Sequence, residues 1–378
     1  MPVSNIIAVG DVCLDREDPD SAFALVREEL NAADVAFCQI ETTYSDRGQP
    51  NPAVHVPLRA SPSNVPALRR AGFTVASFAS NHCMDWGPDA CMDTVEHLAG
   101  AGLAVFGAGR NIREARRPAI VQSNGNRIGW LAYCSILPKD YWAEAKRPGS
   151  APARAHTHYE QIETEQPGTP ARIHTFPYDE DMEAMRADIE ALRKSADVVV
   201  VSMHWGIHFK EAEIAGYQRQ YARRAIDAGA DLIVGHHPHI LKPVELYRGR
   251  AIVYSLCNFC FDLTYTEEQW SSPARVERRL KLNPTWTLDP QYRTYPFPAD
   301  SRMTAILRIT CEDAMLRRVA FQPAYINARG QPRLLSRSDE EFGRVEAYMR
   351  KITLDQGLPW NFRTEGDAIV LAGPRDTS

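Results

Sequence analysis

Three histidines fall within four residues at His236-His237-Pro238-His239, directly after Gly235 and the apolar run Leu232-Ile233-Val234. Imidazole is the commonest metal ligand among side chains. A buried strand that ends in imidazoles presents them at the carboxyl edge of a sheet, where open α/β folds place their chemistry. The same event recurs upstream. Asp11 stands just past the apolar run 5–9, Glu41 past 35–40, Asn81 and His82 past 73–78, and His204 past 197–203. One such coincidence carries no weight, whereas the repetition points to a single site assembled from strand ends.

Hard divalent ions favour oxygen ligands, while zinc, iron and manganese accept imidazole as well. Asp, Glu, Asn and several His together therefore suit one or two divalent transition ions (Mn, Zn or Fe). Two ions about 3.5–4 Å apart would clamp an anionic substrate and lower the pKa of a bridging water. A carboxylate such as Asp11 can bridge them, and the Asn81 amide adds an oxygen without adding charge. His82 follows Asn81 directly, so the two side chains are not expected on one ion. His82 is better placed as a proton donor to a leaving group. Asp85, three residues on, would orient its ring. In the histidine cluster His239 is the firm ligand. His236 keeps the link to glycine and His237 the alternate-residue spacing, and spacing alone does not choose between them. Arg16, Arg47 and Arg59 are candidates for holding a substrate anion, with His208 as a rim residue. The implied substrate is a small-molecule or peptide-like anion.

The elements that must position these groups alternate between strand and helix. Strands are expected at 5–9, 35–40, 73–78, 103–106, 128–134, 197–203, 232–234 and 251–256, with an antiparallel pair at 304–310 and 317–321. Helices are expected at 19–31, 62–71, 88–100, 179–194, 215–228 and 340–354. Two stretches lack periodicity: 138–177, a surface insertion and lid candidate, and 262–300, rich in aromatics, Pro and Arg. The organisation predicted is one domain over 1–330 and a C-terminal helical extension over 331–378, packed on the core.

The chain has 378 residues with 44% hydrophobic content, ample for a core, and a net charge of −5. That charge makes no electrostatic case for nucleic acid or an anionic membrane. The eight cysteines are scattered and hold one C-x-x-C, from Cys257 to Cys260. Buried free thiols in a reducing compartment are the simplest reading. No signal peptide or membrane anchor is read at the N-terminus, so a soluble, cytoplasmic protein is expected.

The ordered segments GDVCLDR (10–16), IETTYSDRG (40–48), ASNHCMDWG (79–87), FGAGRN (106–111), VVVSMHWG (199–206), GADLIVGHHPHILKPVE (229–245) and IVYSLCNF (252–259) resemble the capsule-synthesis CapA family. That family belongs with the calcineurin-like metallophosphoesterases. The resemblance implies an α/β fold, a metallophosphatase-like four-layer α/β/β/α sandwich with irregular insertions. It implies metal-ligand positions at Asp11, Glu41, Asn81, His204 and members of the 236–239 cluster, and a catalytic histidine at His82. It further implies a metal-dependent hydrolase of a phosphoester or an amide, such as a γ-glutamyl bond. A non-catalytic accessory subunit of a capsule or polyglutamate-type pathway is the alternative. The chain departs from the phosphoesterase pattern in having Asp11-Val12-Cys13 for Asp-x-His and Glu41 for an aspartate. Cys13 is thus either a soft ligand or a packed thiol.

Overall fold

The computed structural model describes residues 3–166, 168–263 and 267–372. Two sheets form its centre. The larger has ten strands, ordered Arg363–Glu365, Ala368–Ala372, Met315–Ile326, Met303–Glu312, Val3–Cys13, Val35–Ile40, Val75–Ser77 and Ala104–Phe106. Asn258–Phe261 pairs beside Val3–Cys13, and Pro332–Leu334 beside Met315–Ile326. The smaller has six strands, ordered Val244–Tyr247, Arg250–Val253, Leu232–His236, Val198–His204, Asn126–Cys134 and Ala119–Ser123.

Side chains alternate across a strand, and here the alternation builds four layers. Ile6, Ala8, Val35 and Phe37 of the larger sheet meet Trp130, Val198, Val200 and Val234 of the smaller. Phe37 and Trp130 stack with ring centroids 4.9 Å apart. The intervening residues Ile7, Val9, Ala36 and Cys38 face outward with Val65, Leu68, Cys91 and Leu98, from the helices Val65–Ala71 and Gly87–Gly100. On the far side Val199, Val201 and Ile233 pack with Met185, Ile189 and Tyr221, from the helices Asp179–Arg193 and Gly216–Asp227. The result is an α/β/β/α sandwich. Strands buried on both faces read as continuous apolar runs, as Val198–Val201 does.

The site depends on parallel pairing. Val3–Cys13, Val35–Ile40 and Val75–Ser77 run parallel in one sheet. Asn126–Cys134, Val198–His204 and Leu232–His236 run parallel in the other. Asp11 lies opposite Gln39, and His204 opposite His236. Two positions require glycine at these strand ends. A Cβ at Gly10 would lie 2.0 Å from the Cys257 carbonyl oxygen, and one at Gly235 would lie 2.1 Å from that of Tyr254.

Several elements differ from expectation. The helix over 19–31 is two pieces, a 3-10 turn Pro19–Phe23 and a helix Arg27–Ala32. Phe23, Val26 and Leu30 are buried but Leu25 is half exposed, so the apolar set is not one continuous stripe. The strand over 251–256 ends at Val253, and a new one starts at Asn258 on the other sheet. The crossing passes through Cys257 at a left-handed φ of 65°. The 138–177 stretch contains a hairpin, Ala155–Glu160 paired with Arg172–Pro177. The 262–300 stretch contains the helices Glu267–Ser271 and Pro273–Leu282. Residues 331–372 are not only helical. The helix Glu340–Asp355 is accompanied by three strands that extend the larger sheet. Residues 373–378 of the expected extension lie outside the described residues. Among the described residues no helix is long and apolar enough to cross a membrane.

Candidate metal centre

The carboxyl ends of both sheets converge, and two donor triads form there. One is Glu41, His204 and His237; the other is Asp11, Glu41 and His239. Within each triad the donor atoms lie within 4.8 Å of one another. Glu41 is common to both triads. His204 Nε2 lies 2.6 Å from Asn81 Oδ1, 3.2 Å from His237 Nδ1 and 3.4 Å from Glu41 Oε1. His237 Nδ1 is 3.2 Å from Asn81 Oδ1. His239 Nε2 is 3.7 Å from Glu41 Oε1.

The geometry separates the two neighbouring histidines. His237 belongs to a triad and holds a left-handed φ of 95°. Such a backbone costs on the order of 1–3 kcal/mol and persists only where its surroundings fix it. Here the His237 backbone N–H donates to Asp11 Oδ2 at 3.0 Å. His236 remains on its strand, with Nδ1 3.3 Å from Asp11 Oδ1. It neighbours the Asp11 carboxylate and belongs to neither triad.

Whether a cation suits these residues can be tested on their buried atoms. Both carboxylate oxygens of Glu41, together with Asp11 Oδ1 and His204 Nδ1, are buried without a hydrogen-bond partner. A buried ionised carboxylate without compensation costs several kcal/mol. Burial pushes the Glu41 carboxyl well above its usual range, and the negative charges of Asp11 and Asp85 push it further. Burial lowers the pKa values of His204, His237 and His239, which favours neutral rings with lone pairs to donate. Three oxygen-bearing side chains and three imidazoles match the preferences of first-row transition ions.

His82 sits beside this cluster. Its Nε2 faces Glu41 Oε1 at 3.9 Å, while Nδ1 is 2.5 Å from Asp85 Oδ2. Asp85 is held in turn. Its Oδ2 accepts from the Leu58 backbone N–H at 2.7 Å, and its Oδ1 from the Tyr141 hydroxyl at 2.9 Å. This fixes the imidazole with one nitrogen turned toward the donors. His239 is fixed similarly. Its Nδ1 lies 2.7 Å from Asn258 Oδ1, and Asn258 donates from Nδ2 to the Tyr295 hydroxyl at 2.8 Å.

Next to the donors lies a cavity of about 300 Å³. Asn81, His82, His208 and His239 line its floor, and residues 53–58 and 270–297 supply much of its wall. His208, expected at the rim, packs instead against the donors, its ring centroid 3.9 Å from that of His237. The three candidate arginines are elsewhere. Arg16 makes a two-pronged pair with Asp262, at 2.9 and 2.6 Å. Arg47 is exposed and grips Asp93. Arg59 donates to the Ser45 carbonyl and lies 4.4 Å from the centroid of the Trp86 ring. Each guanidinium already serves the fold, which argues against the anion-binding role offered to it. Cys13 is a packed thiol. It is buried with Phe261, Leu263 and Tyr295, and its Sγ lies 3.6 Å from the Asp262 carbonyl oxygen. Among the described residues of the 138–177 stretch only Pro138 lines the cavity, so much of the covering wall comes from 270–297.

The reading of the sequence did not single out Tyr141, Asn258 or Tyr295. Asn258 follows an apolar run just as the ligand candidates do, which is a usable signal. Tyr141 sits in an aperiodic stretch and gave none.

A four-layer α/β fold with buried donors at its strand ends defines a metallophosphatase-like protein. Residues 5–263 match the family of bacterial capsule synthesis proteins, PGA_cap, and the chain belongs to it. It is 33% identical over 289 residues to the PGA biosynthesis protein CapA of Bacillus subtilis (strain 168), covering 73% of this chain and 68% of that one. It is 31% identical over 235 residues to the capsule biosynthesis protein CapA of Bacillus anthracis, covering 62% and 51%. A "probable polyglutamine synthesis accessory protein" of Mycobacterium tuberculosis (strain CDC 1551 / Oshkosh) is 34% identical over 236 residues, covering 61% and 56%. The chain thus spans little more than half the length of the latter two.

Proposed function

We propose that this protein is a metal-dependent hydrolase acting on a phosphoester or an amide bond, a γ-glutamyl bond included. The observation that carries this reading is Glu41: fully buried, without a hydrogen-bond partner on either oxygen, and shared by two donor triads. Asp11, Glu41, Asn81, His204, His237 and His239 would hold one or two divalent ions (Mn, Zn or Fe). Such ions, when bound, polarise substrate oxygens and bring the pKa of water toward neutrality.

The remaining work falls to the chain's own residues. His82 delivers a proton from Nε2 to the departing oxygen or nitrogen. Asp85 holds its Nδ1–H and thereby selects the tautomer. Leu58 and Tyr141 keep Asp85 in place. Asn258 does for His239 what outer partners do for metal-binding histidines generally, fixing ring orientation and tautomer. The apolar wall excludes water from the reacting bond.

The test is a screen of phosphoesters against γ-glutamyl peptides with purified protein, its Asp11→Ala variant and a chelated sample, alongside metal analysis. Turnover that falls with both chelation and the substitution supports the proposal. Absence of bound transition metal, or turnover indifferent to both treatments, overturns it. A second reading, a non-catalytic accessory subunit, is favoured by the accessory role in the name of the mycobacterial relative. It predicts a stable partner and no turnover across the panel.

A further inference from the structure

The family match ends at residue 263, and most of the aromatic wall of the cavity lies beyond it. The features that choose a substrate therefore belong largely to a stretch without a counterpart in the matched segment. Its helix Pro273–Leu282 turns Arg275, Arg278, Arg279 and Leu282 into the cavity. That is the i, i+3, i+4, i+7 spacing of a single helix face. Among the described residues, Nε and Nη1 of Arg279 are buried with no hydrogen-bond partner.

Opposite polarity comes from a run of rings. Starting at His239, the Phe209 centroid is 5.7 Å away, and Trp286 lies 4.7 Å beyond Phe209. Trp270 follows at 6.4 Å from Trp286. The Trp286 indole is pinned, since its Nε1–H donates to the Pro296 carbonyl at 3.1 Å. Its ring therefore offers a face rather than a polar edge. A cavity of about 300 Å³ with this lining has the size and mixture of a small-molecule site.

We propose that the cavity takes a small oxyanion carried on a ring-bearing apolar group, with the ring on the Phe209–Trp286–Trp270 wall and its negative charge met by the arginine face. The proposal rests on the hydrolase reading only for which end of the ligand reacts. A polar, many-charged polymer is the wrong complement. Charges of such a polymer beyond the reach of the arginine face would lie against indole and phenyl surfaces.

Binding decides it without any turnover. Phenylphosphonate and methylphosphonate, then phenylacetate and acetate, are titrated into the full chain by calorimetry, with its metal as purified and again after chelation. The two pairs distinguish a phosphoryl from a carboxylate headgroup. We expect each ring-bearing probe to bind about tenfold tighter than its ringless partner, the scale of one aromatic contact plus apolar burial. Trp286→Ala should abolish that ratio. Arg279→Gln should weaken both ring-bearing probes about tenfold and leave the ratio intact. If Trp286→Ala does not fold, Trp270→Ala, on a separate and partly exposed helix, reads the same wall. Ratios near one, ratios unmoved by the substitutions, or stronger competition by tetra-γ-glutamate than by the ring-bearing probes would overturn the proposal. A ring preference in a protein that hydrolyses nothing would sink the hydrolase reading and leave this one standing. Turnover of ringless substrates with no ring preference would do the reverse.

Discussion

The donor cluster and the cavity wall meet at His239 and are built in opposite ways. The donors stand at or just past the ends of parallel strands, and sheet register places Asp11 beside Gln39 and His204 beside His236. The carboxylate and imidazole donors are buried, and those of Glu41, Asp11 and His204 have no measurable exposure. The wall over 270–297 comes from short helices and turns, with no buried residue in the helix Pro273–Leu282 but with Trp286, Tyr295 and Phe297 packed into a small buried cluster. One region is fixed by the core of the fold and lies within the family match. The other is attached to that core and lies outside the match. In the proposed reading, chemistry belongs to the first region and selectivity to the second.

The largest expected effect belongs to the donors. Glu41→Ala removes the carboxylate common to both triads. It should abolish bound metal and lower turnover on the order of 1000-fold, measured by elemental analysis and initial rates. If metal stays at full occupancy, the contrast between the two regions fails at its root. Next is His82→Asn, expected to lower kcat about 100- to 1000-fold with metal content unchanged. A parallel loss of metal would instead make His82 a ligand. Asn258→Ala tests the point where the regions touch. It frees the His239 ring and should weaken metal affinity about 10- to 100-fold, read by competition with a chelator of known affinity. The smallest effect is expected at Arg47→Ala, which should leave kcat and KM within about twofold, as for surface residues away from a site. A large rise in KM there would return Arg47 to the substrate path.

The legibility of the sequence follows the same division. Apolar runs ending in Asp11, Glu41, Asn81, His204 and the histidine cluster were visible because a doubly buried strand leaves a continuous signature. Convergence of those ends followed from parallel pairing. The difference in placement between His236 and His237 was not visible. It depends on the left-handed backbone of His237 and its bond to Asp11, neither of which has a pattern in composition. The arginines misled for a related reason. A guanidinium that grips Asp262 or stacks on Trp86 is determined by partners distant in sequence, and proximity to a motif says nothing of them. The helix over 273–282 was hidden in an aromatic-rich stretch, although Arg275, Arg278, Arg279 and Leu282 do carry helical spacing. The three strands within 331–372 were missed because two of them are only three residues long, too short for an alternating pattern, and the third pairs with Met315–Ile326 across an intervening helix.

The pairs Arg16–Asp262 and Asn258–Tyr295 have a consequence for how such a protein can change. They fasten the two ends of the wall segment to the rigid strands around Asp11 and His239. A segment tethered at both ends closes the same gap whatever its interior, and doubling its length adds only about 0.6 kcal/mol of closure entropy. Changes in the length of its interior therefore carry a small entropic cost, and in the proposed reading they reshape the cavity without moving the strands that carry Asp11 and His239.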